Sequence, residues 1–419
     1  MIDKKQAKRI IESLKKGIPP IHGVKYFSVG NEDFLRAIKE EYLTELEDSG
    51  TIRFISGSWG SGKTHFFSLM RELSFEEKCL VSNVQLSPNS AALNKFEQVF
   101  AEIIRNITTP NSYSPNQNQE INSHRHLLNE SLNYLANGNN SFKPAFTHEE
   151  YVAAKNKLMS DQTIDIDFRK MVLAYWSTFL PDSTAANQDQ RRAEILQWFT
   201  GEGKISQYRS FQVAKIINKS NAKIMLQSLA NFVKLTGYRG LVILFDEAEQ
   251  SYSVMSKSAL RDAQNNLLTL INGIESLPGL FLIYATTPDF YSDPKHGIQN
   301  YGALAARIGK PENISPFARD IVWNLDATQV NLSDYQIVAS KIRGIYISAY
   351  PGDLDKLPSD TELKTFISTL YSEHSEYAGV SFWRVMVCGL IQRFSQYVKG
   401  EIRTVEETYI GIMENLRED

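Results

Sequence analysis

The octapeptide GSWGSGKT at positions 57–64 is the sequence feature that most constrains the fold of this chain. A short β-prone run, IRFISG at 52–57, precedes it, and a segment with helically spaced apolar residues follows it. A glycine-rich loop between a strand and a helix, ending in Lys-Thr, has the pattern of a phosphate-binding loop. Such a loop needs a buried strand before it and a helix after it, so the pattern predicts an α/β fold with a parallel sheet.

The residue types of this loop suit the binding of a triphosphate. Gly57, Gly60 and Gly62 let the backbone curve so that successive N–H groups point at an anion near the start of the helix. We expect Lys63 to reach the β- and γ-phosphates of a nucleotide and the hydroxyl of Thr64 to bind Mg²⁺. The remaining residues that we predict to contact the nucleotide here are Ser58, Trp59, Ser61 and His65.

An acidic pair follows another apolar run. Residues 241–245 (LVILF) lead directly into Asp246 and Glu247. A carboxylate at the tip of a central strand can anchor a water bound to Mg²⁺, the role predicted for Asp246. The neighbouring Glu247 is the predicted general base that polarises the attacking water. Acid pairs at strand ends also cap helices, and that alternative stays open at this point.

A third strand, at 279–285, ends at two threonines. Thr286 or Thr287 could hold the attacking water near the γ-phosphate, because both follow the strand predicted beside the acidic one. The alternative is an ordinary turn at the end of a strand. Further strands are predicted at 79–86 and 320–325.

The chain divides into three predicted parts. Residues 1–50 are predicted to form an N-terminal helical segment with a strand and helix close to the adenine, and residues 51–330 the ATPase core. Polar breaks and amphipathic stretches predict a helical insertion at about 108–234. Residues 331–419 show helical periodicity throughout and predict an all-helical C-terminal domain.

Composition excludes several classes of protein. The 419 residues carry a net charge of −3, which argues against nonspecific coating of nucleic acid. No run approaches the ~18 apolar residues of a membrane span. The two cysteines are far apart in the sequence, which favours free thiols and a cytoplasmic location.

Four stretches together resemble the BREX-system ATP-binding proteins, the BrxC/BrxD-type P-loop family of prokaryotic anti-phage defence. They are RIIESLKKGIPP with YFSVGNEDFL, GSWGSGKTHFF, ILQWFTGEGK and LTGYRGLVILFDEAEQ. The resemblance implies an AAA+-like P-loop core (the ASCE class, with an additional strand in the sheet), a helical lid, ATP and Mg²⁺ as ligands, and partners encoded in the same defence locus. It also implies that Val29 and Gly30 contact the adenine; Asn31 stands where initiator-type relatives have arginine.

Two arginines are further candidates by the same resemblance. Arg307 lies where initiator-type AAA+ ATPases place an arginine that reaches the γ-phosphate of the next subunit. Arg384 matches a sensor that closes the lid over ATP, although the family's proline before it is replaced by Trp383. A surface helix arginine and an arginine packed beside Trp383 are the respective alternatives.

Three functions are compatible with these observations. The first is an ATP-driven switch or motor subunit in defence, acting on DNA directly or through partners, with ATP-dependent homo-oligomers. The second is a slowly hydrolysing scaffold or signalling switch of the STAND type. The third is an initiator or helicase loader, which the helical pattern after Leu332 disfavours because it contains no β-wing.

Overall fold

The fold is that of a computed structural model, which describes residues 2–87, 91–112, 123–181, 188–247, 255–309, 319–327, 330–374 and 381–417. The chain forms two compact units. The first contains Met1–Arg36, Gly57–Glu72 and Asn324–Asp419, and the second contains Ala37–Ser56 and Leu73–Trp323. The three-part division into 1–50, 51–330 and 331–419 stays a prediction.

A six-stranded sheet forms the centre of the second unit. Its strands are β1 (Thr51–Ser56), β2 (Cys79–Gln85), β3 (Ile107–Thr108), β4 (Gly240–Asp246), β5 (Leu280–Thr286) and β6 (Val322–Asn324), in the spatial order β3-β2-β4-β5-β1-β6. The pairs β1/β5, β2/β4 and β4/β5 are parallel, whereas β2/β3 is antiparallel. The five strands predicted from apolar runs are confirmed; β3, with two residues, was not predicted.

The register of the parallel strands brings their carboxyl ends to one edge. Ser56 pairs with Thr286, and Gln85 pairs with Asp246. Strands β4 and β5 are buried along nearly their whole length, which explains their continuous apolar sequences. The last residues of β1, β2, β4 and β5 therefore lie at the same edge of the sheet.

The helices are numbered in chain order, as the strands are. Those up to β4 are α1 (Lys4–Lys15), α2 (Glu32–Ile38), α3 (Lys63–Glu76), α4 (Phe96–Arg105), α5 (Ser123–Asn137), α6 (His148–Ser160), α7 (Ile166–Ser177), α8 (Gln188–Phe199) and α9 (Ala222–Leu235). Those after β4 are α10 (Lys257–Gly273), α11 (Asp289–Ser292), α12 (Gly302–Ile308), α13 (Leu332–Ala349), α14 (Asp360–Glu373), α15 (Phe382–Lys399) and α16 (Val405–Arg417). The described residues between β3 and β4 form helices, as the sequence predicts for 108–234; that they are an insertion stays a prediction.

The insertion is anchored in the core of the second unit by two tryptophans. Trp176 and Trp198 are fully buried. Their indole N–H groups donate to the carbonyl oxygens of Leu128, at 2.8 Å, and Lys215, at 3.0 Å. Burial of a tryptophan requires such a partner for its polar atom. Trp198, part of the ILQWFTGEGK stretch, therefore has a structural role in this fold.

The first unit has a core of its own. Helices α1, α13, α14, α15 and α16 pack their apolar faces together, with Ile10, Ile342 and Phe394 fully buried. Asn331 and Ser359 cap α13 and α14, each through a reciprocal pair of bonds with the third helical residue. The described residues after Leu332 contain helices and no strand, as predicted. In the part of the chain that is described, no helix has both the length and the apolarity to cross a membrane.

Candidate functional site

The glycine-rich loop connects β1, which ends at Ser56, to α3, which begins at Lys63. Gly60 and Gly62 have φ angles of +81° and +96°, a left-handed region in which a side chain would be strained. Gly57 is constrained differently, because a Cβ atom there would lie 2.3 Å from Oγ of Ser61. The predicted need for glycine at all three positions is consistent with this backbone.

The side chain of Lys63 lies against its own loop. Its Nζ donates to the carbonyl oxygens of Gly57, at 2.5 Å, and Ser58, at 3.0 Å. The ammonium group is also 5.7 Å from the ring centroid of Trp59, whose side chain is 70% exposed. A cation at this distance is attracted by the ring face. To bind a phosphate, Lys63 would exchange these carbonyl contacts for phosphate oxygens.

Asp326 contacts the loop and was not found by sequence reasoning. Its two carboxylate oxygens accept hydrogen bonds from the backbone N–H of Ser58, at 2.9 and 3.1 Å. The hydroxyl of Ser58 donates to the same carboxylate at 2.9 Å. Asp326 follows β6, and its own N–H donates to Oδ1 of Asn324 at 3.1 Å. The start of the loop is therefore held by a carboxylate far away in the sequence.

His65, in the first turn of α3, faces the N-terminal segment of the chain. Its Nε2 lies 3.2 Å from Oγ of Ser28, and its ring meets that of Phe27 edge-on, with centroids 5.8 Å apart. Burial lowers the pKa of His65 to about 4, so the imidazole is neutral at physiological pH. The preceding Thr64, the predicted Mg²⁺ ligand, is exposed.

The segment from Ser28 to Asn31 contains the residues predicted to contact adenine. The Nζ of Lys341, on α13, donates to the carbonyl oxygen of Ser28 at 2.7 Å. Gly30 has a φ angle of +78°, and no atom lies within 4 Å of the position its Cβ would take. The amide of Asn31 donates to the carbonyl oxygen of Val29 at 3.4 Å. The predicted base contact of Val29 and Gly30 stays a prediction.

The start of α15 lies close to the loop. Ser381 directly precedes this helix, and its Cβ would be 2.9 Å from a Cβ placed on Gly60. Arg384, three residues later, packs against the end of α1, where a Cβ on Gly17 would meet its Cγ at 2.8 Å. This position of Arg384 is compatible with both predictions, a packed arginine and a lid sensor.

The acidic pair lies at the end of β4 in the second unit. Oδ1 of Asp246 accepts a hydrogen bond from the backbone N–H of Glu247 at 3.0 Å. The amide of Gln85 donates to the carboxylate of Glu247, and Gln85 is the register partner of Asp246 on β2. Glu247 has a φ angle of +55°, which is uncommon for a residue with a side chain and concentrates at functional sites. Sequence reasoning missed Gln85.

Thr286, the last residue of β5, and the following Thr287 are both buried. The hydroxyl of Thr286 donates to the carbonyl oxygen of Ile55 at 2.9 Å and lies 3.0 Å from the hydroxyl of Tyr291. Burial raises the pKa of Tyr291, so this phenol remains protonated. These contacts connect β5 to β1. The predicted contact of Thr286 or Thr287 with the attacking water stays a prediction.

Arg307 lies in the last turn of α12 and its side chain is exposed. That position is compatible with both predictions, a surface arginine and one that reaches a neighbouring subunit.

For Mg²⁺, the hydroxyl of Thr64 and the carboxylate of Asp246 are oxygen donors of the kind this ion prefers. Among the described residues, no group of three or more His, Cys, Asp or Glu side chains could hold a metal ion.

These features define an α/β protein with a mostly parallel sheet, a glycine-rich loop after β1 and an acidic pair at the end of β4. The chain belongs to the family of BREX system ATP-binding proteins BrxC/D, whose family model matches residues 2–408. Neither a curated protein nor a solved structure matches the chain in the comparisons.

Proposed function

We propose that this chain binds ATP with Mg²⁺ and hydrolyses it, as an AAA+-like ATPase in a BREX-type anti-phage defence system. One observation carries the proposal: the loop between β1 and α3 has two left-handed glycines and a lysine that faces it, as a phosphate-binding loop requires. The chain belongs to a family of ATP-binding proteins, which supports ATP as the nucleotide.

The order of the strands supports the ASCE class within the P-loop proteins. Strand β5 lies between β1, which precedes the loop, and β4, which ends in the acidic pair. This inserted strand is the additional strand that the class has between its two nucleotide-site strands. The helices after Leu332 are proposed to form the lid, within a domain at 331–419.

The proposed mechanism assigns a role to each polar residue. The N–H groups of Gly60–Thr64 and the ammonium group of Lys63 bind the phosphates, and the lysine offsets charge that develops in the transition state. Glu247 accepts a proton from the attacking water. Mg²⁺, bound through Thr64 and Asp246, would neutralise phosphate charge when present. Thr286 or Thr287 is proposed to orient the water.

In the cell, we propose that hydrolysis drives a switch or motor step together with other subunits encoded in the same defence locus, with DNA as a direct or indirect partner. A slowly hydrolysing scaffold of the STAND type is the second candidate, favoured by the hydrogen bond that holds Glu247 to Gln85. A motor accelerates severalfold when duplex DNA is added, whereas a scaffold of this type does not.

Calorimetry of ATP binding to Lys63→Ala tests the main proposal. We expect the affinity to fall at least tenfold, because a charged hydrogen-bond donor to the phosphates is removed. Lys155→Ala, an exposed lysine on α6, is the control and should bind like the unmodified protein. Glu247→Gln should keep ATP binding and lose hydrolysis. Undiminished ATP affinity in Lys63→Ala would refute the proposal.

Assembly is tested separately. If Arg307 completes the site of a neighbouring subunit, Arg307→Ala lowers hydrolysis while leaving ATP affinity per subunit unchanged. Arg261→Ala, another exposed helix arginine, is the matched control. A protein that stays monomeric at high concentration with a slowly hydrolysed ATP analogue would contradict this role for Arg307.

A further inference from the structure

Three separate segments of the first unit meet at Ser28. The N-terminal segment supplies Ser28 itself, α3 supplies His65, and α13 supplies Lys341. We call this set of three residues the Ser28 junction. Its members are distant in the sequence. The hydroxyl of Ser28 contacts His65, and the carbonyl oxygen of Ser28 contacts Lys341. The junction therefore connects the first turn of the phosphate-binding helix with a helix of the C-terminal part.

The contact between His65 and Ser28 is specific in geometry. Nε2 of His65 is 3.2 Å from Oγ of Ser28, and Phe27 packs edge-on against the imidazole. His65 is the second residue after Lys63, so this contact holds Ser28 against the first turn of the phosphate-binding helix.

The contact between Lys341 and Ser28 fixes the backbone. The ammonium group donates to the carbonyl oxygen of Ser28 at 2.7 Å, a charge-assisted hydrogen bond. The peptide unit that carries this oxygen continues directly into Val29. Lys341 also lines a groove of about 470 Å³ with residues of α13 and Lys364 of α14. Its side chain therefore lies at the surface of α13.

Gly30, two residues after Ser28, has an open backbone. It is exposed, it has a left-handed φ angle, and its missing Cβ leaves free space on that side. A peptide plane without a side chain lets a flat ligand approach closely. Because Ser28 is tied to the helix that begins at the phosphate-binding loop, this open plane lies next to that helix. A nucleotide bound at the loop could place its base there.

We propose that the Ser28 junction positions Val29 and Gly30 for the base of ATP and couples this base contact to the phosphate-binding helix α3 and to α13. His65 and Lys341 act as positioning residues, because they reach the nucleotide through Ser28. This inference rests on the proposed ATP-binding function. It adds that recognition of the base, as distinct from the phosphates, depends on a contact from the C-terminal helices.

The test compares two ligands that share the triphosphate: Mg-ATP and Mg-tripolyphosphate. In Ser28→Ala and Lys341→Met, we expect ATP to bind about tenfold more weakly and tripolyphosphate to bind as before, since one base-positioning hydrogen bond is lost. Lys341→Arg keeps a charged donor and should restore ATP affinity. Lys364→Met, in the same groove, is the control and should leave both affinities unchanged.

Each outcome has a definite meaning. Equal losses for both ligands would show that the junction only stabilises the fold, and unchanged ATP affinity in both variants would overturn the inference as well. Thermal melting shows whether each variant folds. If Ser28→Ala does not fold, the ATP affinities of Lys341→Met and Lys341→Arg decide whether the inference holds. Lys63→Ala separates the two proposals. If it loses neither ligand, the proposed function fails, whereas if it loses both, only the junction is in question.

Discussion

The carboxylate of Asp326 accepts hydrogen bonds from both the backbone N–H and the hydroxyl of Ser58, with the shortest distances at 2.9 Å. The two residues are 268 positions apart in the chain. Ser58 is the second residue of the glycine-rich loop, so this contact holds the loop at its beginning. Asp326 stands on the short 3₁₀ turn after β6.

We predict that Asp326→Ala weakens ATP binding about fivefold, because the loop loses the hydrogen bonds that order it before the ligand binds. Asp326→Asn keeps an acceptor for the Ser58 N–H and should weaken binding less than twofold. Calorimetry with Mg-ATP measures both. Tighter binding in Asp326→Ala would instead mean that the carboxylate repels the triphosphate.

A second prediction concerns Gln85, which donates a hydrogen bond to the carboxylate of Glu247. A carboxylate held this way must be released before it can accept a proton from water. Gln85→Ala should raise the basal rate of ATP hydrolysis about two- to fivefold, the equivalent of one net hydrogen bond, with unchanged KM.

The control for this prediction is Asn83→Ala, since Asn83 is exposed on the same face of β2 two residues earlier. Its steady-state rate should equal that of the unmodified protein. A lower rate in Gln85→Ala would mean that Gln85 orients Glu247 for catalysis and does not restrain it.

Local patterns carried most of what the sequence could predict. The apolar runs predicted five of the six strands of the described sheet, and the glycines of the loop were predicted because a left-handed backbone excludes side chains. Each of these signals lies within about ten residues of chain. The helical character of the insertion was predicted for the same reason.

The missing parts of the site depend on contacts between distant residues. Gln85 and Glu247 are 162 positions apart, and neither Gln85 nor Asp326 belongs to a recognisable motif. The lack of a Cys, Asp or Glu cluster beside His124 and His126 in the sequence favours a solvated loop for both, but the structure places both on α5. Burial there lowers the pKa of His124 to about 4. Tertiary packing of a polar helix gives no local signal.

Stability should respond to pH through Glu130, which is fully buried on α5. Burial raises its pKa from 4.5 to about 7, against hydrogen bonds from Tyr238, Thr109 and Asn111 that lower it. The folded state therefore holds a proton that the unfolded state loses. This contribution to stability is complete below pH 4.5 and is lost as the pH rises to about 7.

We predict that Glu130→Gln raises the free energy of unfolding at pH 8 by about 2 to 3 kcal/mol, because a buried charge is removed. At pH 4 it should change little. Melting curves at the two pH values measure the difference, with the exposed Glu149→Gln as control. An increase in the free energy of unfolding that is equal at both pH values would contradict the titration of Glu130.

Glu72 is a second buried carboxylate, but its hydrogen-bond partners are backbone N–H groups. Its Oε1 accepts from the N–H groups of Gly23, at 2.5 Å, and Val24, at 3.1 Å, and its Oε2 accepts from that of Lys25 at 3.3 Å. Burial raises the pKa of Glu72, and these three donors oppose the rise. The hydroxyls of Tyr238 and Thr109 around Glu130 can rotate to accept from an amide, whereas backbone N–H groups can only donate.

Glu72→Gln should therefore destabilise the first unit by about 1 to 3 kcal/mol, because the amide nitrogen would face a backbone donor and leave it unpaired in the interior. Thermal melting at pH 7 compares it with Glu414→Gln, an exposed glutamate of α16. The contrast with Glu130→Gln matters most. The same change of chemistry is expected to raise stability where two of the three partners are hydroxyls and to lower it where all three are peptide N–H groups. If both variants shift the melting temperature in the same direction, the nature of the hydrogen-bond partners does not decide the outcome and burial of charge alone does.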